Sequence, residues 1–358
     1  GKSIVPPGGG LTRGLNPDLA NDPESIRKYL LKLKKFNVNL IRAMDPVWLS
    51  LCDEVGLMAF TGEYGVPKWN DATRYAAPAF EESAVTYYKR LFAGKYMNHP
   101  SVVIWILSNE MPSAMTDNGK QYIAFLRQCY ERLSKWDPTR AYIENAGFGL
   151  AQGGDVNDYH VYMGWYNGIV QSVYKFRYDL RKLAGMDSPL QPMTFTECIG
   201  AYTDERGRLQ GTDKQISAGL MWAGNEIDVP EYTLDYQAYL ASQFIEILRR
   251  IRPINPTIAG LMPFTTTAVG WDDAKSVDEL TFNPLLTEAF SKYCQHLLLS
   301  FENWRPHVYA GERLRMSVHM VNDADDGRDI KGAVLQWQLV RKADDRRVAS
   351  GSLAFAET

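Results

Sequence analysis

The sequence predicts an α/β fold: a (β/α)8 barrel over residues 1–300, followed by the start of an all-β, immunoglobulin-like sandwich over residues 301–358. Three observations carry this. Short apolar runs alternate with amphipathic stretches along the first 300 residues, the pattern of parallel strands joined by helices. Eight such runs occur, the number that closes a barrel. Past Phe301 the texture becomes apolar–polar alternation, which suits antiparallel strands with one face in water. At ~150 residues per domain, a chain of 358 residues holds about two domains, or one large barrel and an appendage.

Taken in order, Pro6-Pro7-Gly8-Gly9-Gly10 reads as a loop. The strands are expected at 11–15, 38–42, 57–62, 102–108, 141–144, 159–162, 193–196 and 258–264. The first helix is expected at 23–36, with Asp22 as N-cap, Pro23 at the first position and Ile26, Leu30 and Leu33 on one face. Further helical patterns cover 46–55, 78–97, 119–136, 169–184, 233–251 and 284–300. A doubly wound sheet is the rival topology, but no Gly-rich dinucleotide loop follows the first strand. In the tail, 312–321 and 332–340 alternate as strands around the turn-rich 322–329. The 58 or so residues there suffice for only part of a sandwich.

Composition narrows the function. Charged residues make up 23% and the net charge is −3, with no basic patch, so a nucleic-acid partner is not expected. The longest apolar run, Val102 to Leu107, falls far short of the ~20 residues that cross a bilayer, so no membrane span is expected. The aromatic content of 12% fits a cleft for a flat, hydroxylated ligand, and equally a large core. Cys52, Cys129, Cys198 and Cys294 form no CxxC pair and read as buried thiols. Gly1-Lys2-Ser3 is not a phosphate loop, because no strand leads into it. A chain that opens on Gly1 reads as an excised segment.

The most informative stretch is Asn98-His99-Pro100-Ser101, then VVIWIL, then Ser108-Asn109-Glu110. A continuous apolar run is a strand buried on both faces, and a polar pair at its C-terminal end lies where barrels keep their chemistry. Pro192 to Glu197 repeats the pattern: a short strand closed by a carboxylate. Glu110 and Glu197 thus end the fourth and seventh strands, at the same mouth. Two carboxylates facing across a pocket can cleave a glycosidic bond, one as proton donor and the other as nucleophile or base. Metal-dependent barrels also place acids there, but the 5 His form no HxH or HExxH pattern, so no metal or cofactor is expected.

These stretches resemble the catalytic barrel of glycoside hydrolase family 2, which holds β-galactosidases, β-glucuronidases and β-mannosidases. The resemblance runs over almost the whole chain, through Arg13-Gly14-Leu15-Asn16, Asn39 to Arg42, Leu51 to Leu57, Asn98 to Glu110, Tyr162-Met163-Gly164-Trp165-Tyr166 and Thr196-Glu197. Gly311-Glu312 and Val321-Asn322-Asp323 resemble the start of the sandwich that follows such barrels. The resemblance implies Glu110 as general acid/base and Glu197 as nucleophile. It implies Asn109 on the sugar 2-hydroxyl, Tyr162 orienting the nucleophile and Arg42 beneath it. It implies a retaining mechanism on terminal β-linked sugars, β-galactosidase-like in preference.

Two departures bear on the sugar. Arg42-Ala43-Met44-Asp45-Pro46 lacks the family's His two residues after the Arg and places Asp45 at the expected pocket rim. No Asn-x-Lys follows Glu197, which disfavours a uronic acid. Trp271 reads as a stacking platform for a sugar or as loop packing. Glu63 and Glu144 read as ligands of sugar hydroxyls or as ion pairs. His160 shares a strand face with Tyr162 and reads as a pocket residue. His99 reads as structural. Chemistry requires Glu110 to be protonated near neutrality, hence a raised pKa, and Glu197 to be ionised, hence a pKa held down. An endo-acting glycanase and a non-catalytic carbohydrate-binding barrel are the alternatives. The expected partner is a carbohydrate, with self-association into a homo-oligomer possible.

Overall fold

The computed structural model describes residues 8–9, 17–62, 78–110, 117–147, 153–164, 167–178, 180, 191–199, 230–263, 275–279, 284–304, 308–324 and 329–355. The chain divides into two compact units, Gly1–Gln295 and His296–Thr358.

Among the described residues the first unit carries eight parallel strands: β1 (Gly8–Gly9), β2 (Leu40–Arg42), β3 (Met58–Gly62), β4 (Val102–Ile106), β5 (Ala141–Ile143), β6 (Asn157–Val161), β7 (Met193–Cys198) and β8 (Ile258–Pro263). They form two hydrogen-bonded arcs, β1-β2-β3-β4-β5 and β6-β7-β8. The N–H groups of Asp155 and Val156 donate to the Tyr142 carbonyl at 2.9 and 3.2 Å, which ties the end of β5 to the start of β6. β1 lies beside β8. The result is a (β/α)8 barrel. The expected strand at 11–15 lies outside the described residues. Gly8–Gly9, expected in a loop, instead pair with Leu40 and Ile41.

The helices are α1 (Pro17–Asn21), α2 (Pro23–Lys35), α3 (Pro46–Val55), α4 (Pro78–Leu91), α5 (Asp117–Trp136), α6 (Pro230–Ile251) and α7 (Pro284–Tyr293). Asp22 caps α2 as the sequence predicts, accepting from the Ser25 N–H at 2.8 Å. Gly56 ends α3 in the left-handed region (φ 71°), so its N–H can return to the Cys52 carbonyl. Two of the expected helices differ from a plain α-helix among the described residues. The one at 78–97 passes into a π-turn at Phe92–Tyr96. Of 169–184, Val170–Arg177 forms a 3-10 helix.

Alternation sorts the core into an interior and an outer layer. Phe60, Ile106, Ile143, Ala146, Val156 and Met262 fill the barrel interior. Trp105, one residue off that face, packs outward on Phe92 with ring centroids 4.2 Å apart, and its indole N–H donates to Asp137 at 2.9 Å. It therefore anchors β4 to the helix layer.

The bottom of β4 is held by a clamp. Asp53, on α3, accepts from the Ser101 N–H at 2.8 Å and pairs with His99 Nδ1 at 2.7 Å. The structural reading of His99 is therefore the one the structure carries.

In the second unit, β9 (Leu297–Glu302) pairs antiparallel with β10 (Ser317–Asn322), and β11 (Val334–Arg341) with β12 (Arg346–Ala354). The helix expected at 284–300 therefore stops at Tyr293 and gives way to a strand. Burial from Leu297 to Phe301 alternates between exposed and buried, a two-residue period that a run of leucines conceals.

Asp53→Ala should lower unfolding stability by about 1–3 kcal/mol, because it leaves the buried Ser101 N–H unpaired. Urea denaturation measures this; an unchanged midpoint would show that the clamp is dispensable.

Candidate active site

The C-terminal ends of β2, β4, β6 and β7 bring the polar residues together. On β2, Leu40 faces the interior and Ile41 the outer layer, so Arg42 returns to the interior. On β6, Tyr159 and Val161 pack outward, which turns Asp158, His160 and then Tyr162 inward. On β7, Phe195 packs outward and Thr194 and Thr196 face inward. Simple alternation would send Glu197 outward with Phe195. The register prevents this. Asp158 pairs with Thr194, but His160 pairs with Glu197, so β7 carries one extra residue. This bulge lets Thr196 and Glu197 both reach the inner side. Glu110 sits just past β4 with φ of 50°, a conformation uncommon for a glutamate. Its N–H donates to the Ala146 carbonyl at 2.9 Å, which fixes that turn.

A buried carboxylate organises the cluster. Asp158 accepts from Thr194 Oγ1 (2.7 Å), the Thr196 N–H (3.0 Å), Thr196 Oγ1 (2.7 Å) and the Gly147 N–H (3.0 Å). Thr196 Oγ1 lies 3.2 Å from His160 Nε2. The other ring nitrogen, Nδ1, lies 2.6 Å from Glu110 Oε1 and 3.4 Å from Glu197 Oε2. Gly147 (φ 96°) makes room for the ring: a Cβ there would stand 2.7 Å from His160 Cγ.

Glu197 is buried, accepts from the Tyr162 hydroxyl at 2.5 Å and lies 3.6 Å from Arg42 Nη1. The same guanidinium nitrogen donates to Asn109 Oδ1 at 3.0 Å. The ligating atoms of Glu110, His160 and Glu197 all fall within 4.8 Å of one another. A Glu-His-Glu set can suggest a metal. Here both ring nitrogens of His160 have hydrogen-bonding neighbours.

The electrostatics reverse the sequence expectation. The hydrogen bond from His160 holds the Glu110 carboxyl below its usual value. Burial pushes Glu197 up, although His160 and Tyr162 pull against it. Burial alone would lower His160, but the bonds to Asp158 and Glu110 outweigh it and hold the ring at about 9. The two shifts have different causes: the hydrogen bond with His160 lowers the more exposed Glu110, and burial raises Glu197 against the pull of His160.

Arg42, Asn109, Glu110, His160, Tyr162 and Glu197 therefore converge. Asp45 does not join their hydrogen bonds. Its carboxylate caps α3, accepting from Val47 and Trp48 N–H at 2.8 and 3.4 Å, a consequence of Pro46 opening that helix. Glu144 is buried against α5, where it accepts from the Gly153 N–H at 2.8 Å and pairs with Arg127 at 3.4 Å, so the ion-pair reading holds. Glu63 and Trp271 lie outside the described residues. Sequence reasoning missed Asp158 and Thr196. The spacing Asp158-x-His160-x-Tyr162 on a strand was the available signal for the first.

A model of the glycosyl hydrolases family 2 TIM barrel domain matches residues 20–219. Two relatives from Formosa agariphila, each named "Putative beta-glucuronidase", are 29% identical over 126 residues and 26% identical over 160. The alignments cover 34% and 42% of this chain but 11% and 18% of those proteins. Among solved structures, a Bacteroides uniformis β-glucuronidase superposes with a TM-score of 0.57 at 19% identity, over 84% of this chain and 36% of that one. A β-galacturonidase from Eisenbergiella tayi bound to galacturonate gives 0.52 at 18% identity, over 75% and 44%. At such identities these structures share the fold. The chain spans less than half the length of each of these proteins.

His160 ties stability to pH. Its folded-state pKa of about 9 lies above the ~6.5 of an unfolded histidine. That contribution is complete below ~6.5 and is lost as pH rises through about 9. Urea midpoints should therefore fall between pH 6 and pH 9.5, and His160→Asn should flatten the decline. An equal slope in both proteins would contradict this.

Proposed function

The chain belongs to glycoside hydrolase family 2, and from that membership we propose that it is a retaining β-glycosidase that releases terminal β-linked sugars by double displacement. One observation carries the mechanism: oxygens of Glu110 and Glu197 lie within 4.8 Å. Inverting enzymes need ~6.5–9.5 Å between carboxyls to seat a water, whereas retaining ones use ~5–5.5 Å.

In the first step Glu197 attacks the anomeric carbon while Glu110 gives its proton to the departing oxygen. The bond to the leaving group breaks and a glycosyl ester forms on Glu197. In the second step Glu110, now a carboxylate, takes a proton from water. The resulting hydroxide equivalent attacks the anomeric carbon and frees Glu197. Burial raises the energy of the Glu197 carboxylate, which favours attack; Arg42 and Tyr162 keep it ionised and aimed. Arg42 binds the carbonyl oxygen of Asn109 and so turns its amide N–H2 to donate to the sugar 2-hydroxyl.

The sugar assigned from the sequence is a neutral one, β-galactoside in preference, since no Asn-x-Lys follows Glu197. The names of the two Formosa agariphila relatives favour a glucuronide as the second reading. We read His296–Thr358, with its two antiparallel pairs, as the start of the immunoglobulin-like sandwich.

A panel of nitrophenyl β-glycosides (galactoside, glucuronide, mannoside, glucoside) decides the sugar. On the sugar it selects, Glu197→Gln should lower turnover by about 10³-fold or more with an unchanged urea midpoint. Near-normal release by that variant would refute the assignment. Glu110→Ala should retain activity on a dinitrophenyl glycoside and be accelerated by azide, which replaces the water that needs a base. Loss on all leaving groups alike, with no azide effect, would remove Glu110 from the acid/base role.

A further inference from the structure

The hydrogen bonds around His160 fix how many protons the site holds. The Thr196 hydroxyl has one hydrogen, and it is donated to Asp158 Oδ2 at 2.7 Å. At 3.2 Å from His160 Nε2, its oxygen can then only accept, so Nε2 carries a hydrogen. On the other side, Nδ1 and Glu110 Oε1 stand 2.6 Å apart. Two lone pairs would repel at that distance, so one proton lies between them. The ring and Glu110 thus share a single acidic proton, either as imidazolium and carboxylate or as imidazole and carboxylic acid.

We propose that His160 stores the proton that Glu110 delivers to the leaving oxygen, with Thr196 and Asp158 fixing the ring tautomer that makes storage possible. This rests on the glycosidase reading above. The step balances. The Nδ1–H bond breaks and an O–H bond forms on Glu110; imidazolium becomes neutral imidazole as carboxylate becomes acid. Glu110 then passes the proton to the glycosidic oxygen. In the second half-reaction it takes one from water, and the pair again holds one. His160 acts on the substrate only through Glu110.

The groups facing the ring all fit this role. Glu110 from the end of β4 and Glu197 from β7 stabilise the charged form, as does Asp158 from β6, 3.5 Å from Nε2. Arg42 from β2 faces the Glu197 carboxylate on its far side, which limits how much negative charge His160 must offset. The ring is buried, so bulk water does not take the proton away. A free carboxylic acid at the half-exposed Glu110 would lose its proton near neutrality; sharing it with His160 keeps one proton in the site to higher pH.

The test uses the intact chain and two readouts. Nitrogen-15 NMR of the imidazoles, with 5 His to assign and His160→Asn to identify the signal, reports both N–H groups and the titration directly. His160 should carry both hydrogens at pH 7 and titrate near 9, and Glu110→Gln should lower that titration by about one unit or more. Thr196→Val should lower it as well, and Thr196→Ser should restore it. In kinetics, His160→Asn should move the alkaline limb of kcat/KM down by about one unit or more, and should slow a phenyl glycoside about tenfold more than a dinitrophenyl one. A ring that is neutral at pH 7, or insensitive to Glu110→Gln while the panel is hydrolysed, overturns storage and leaves the glycosidase reading standing. A coupled titration with no glycoside hydrolysed overturns the glycosidase reading instead.

Discussion

The site depends on one buried carboxylate. Asp158 has no access to solvent and is satisfied by four donors from Thr194, Thr196 and Gly147. An ionised group in the interior is tolerated only when so compensated. Those bonds are also what hold β6 and β7 in register at the bulge and what present the Thr196 oxygen to His160. Through His160 the same carboxylate reaches Glu110 and Glu197. Remove it, and the ring loses the partner that fixes its tautomer, while the Gly147 turn and the Thr196 backbone lose their acceptor.

The barrel supplies the rest by parity. Strands that place apolar residues inward along their length place polar ones inward at their C-terminal ends. Arg42, His160 and Tyr162 arrive by that rule, whereas Glu197 arrives by an exception to it. The extra residue in β7 converts an outward position into an inward one. Glu110 arrives by a second exception, a left-handed backbone just beyond β4. The two acidic groups thus occupy the two irregular positions of the cluster. Strain and bulges concentrate where a side chain must be aimed against the local pattern. Far from the mouth, Asp53 and Asp137 lock the base of β4 to the helix layer and keep its upper end from shifting.

Much of this was legible in the sequence because it rests on short-range pattern. Pro46 announces α3, and the run from Val102 announces β4. Four parallel strand ends carrying Arg42, Glu110, His160 and Glu197 are enough to infer one mouth. What failed did so where a long-range partner decides. Asp45 reads as a pocket residue until α3 is seen to use its carboxylate. The strand at Leu297–Glu302 hides in a leucine run, since apolar residues on both sides carry no period until a neighbour such as β10 selects one. The pKa directions of Glu110 and Glu197 run opposite to expectation because what decides them, a hydrogen bond with His160 on another strand and the burial of Glu197, exists only in the assembled barrel. A carboxylate's environment is a property of the assembled barrel, and residue type alone does not contain it.

The proposed chemistry follows from placing two carboxyl groups of unlike exposure around one imidazole. In the proposed mechanism the buried Glu197 is the nucleophile and the half-exposed Glu110 exchanges protons with water, a division that matches their solvation. That division is tested most directly by trapping. A 2-deoxy-2-fluoro β-glycosyl fluoride of the accepted sugar is incubated with the protein, which is then digested and its peptides weighed. A fluorosugar ester on Glu197 is the expected result. The label on Glu110, or rapid hydrolysis to the inverted anomer with no label anywhere, would contradict the convergence of these two side chains on a single anomeric carbon.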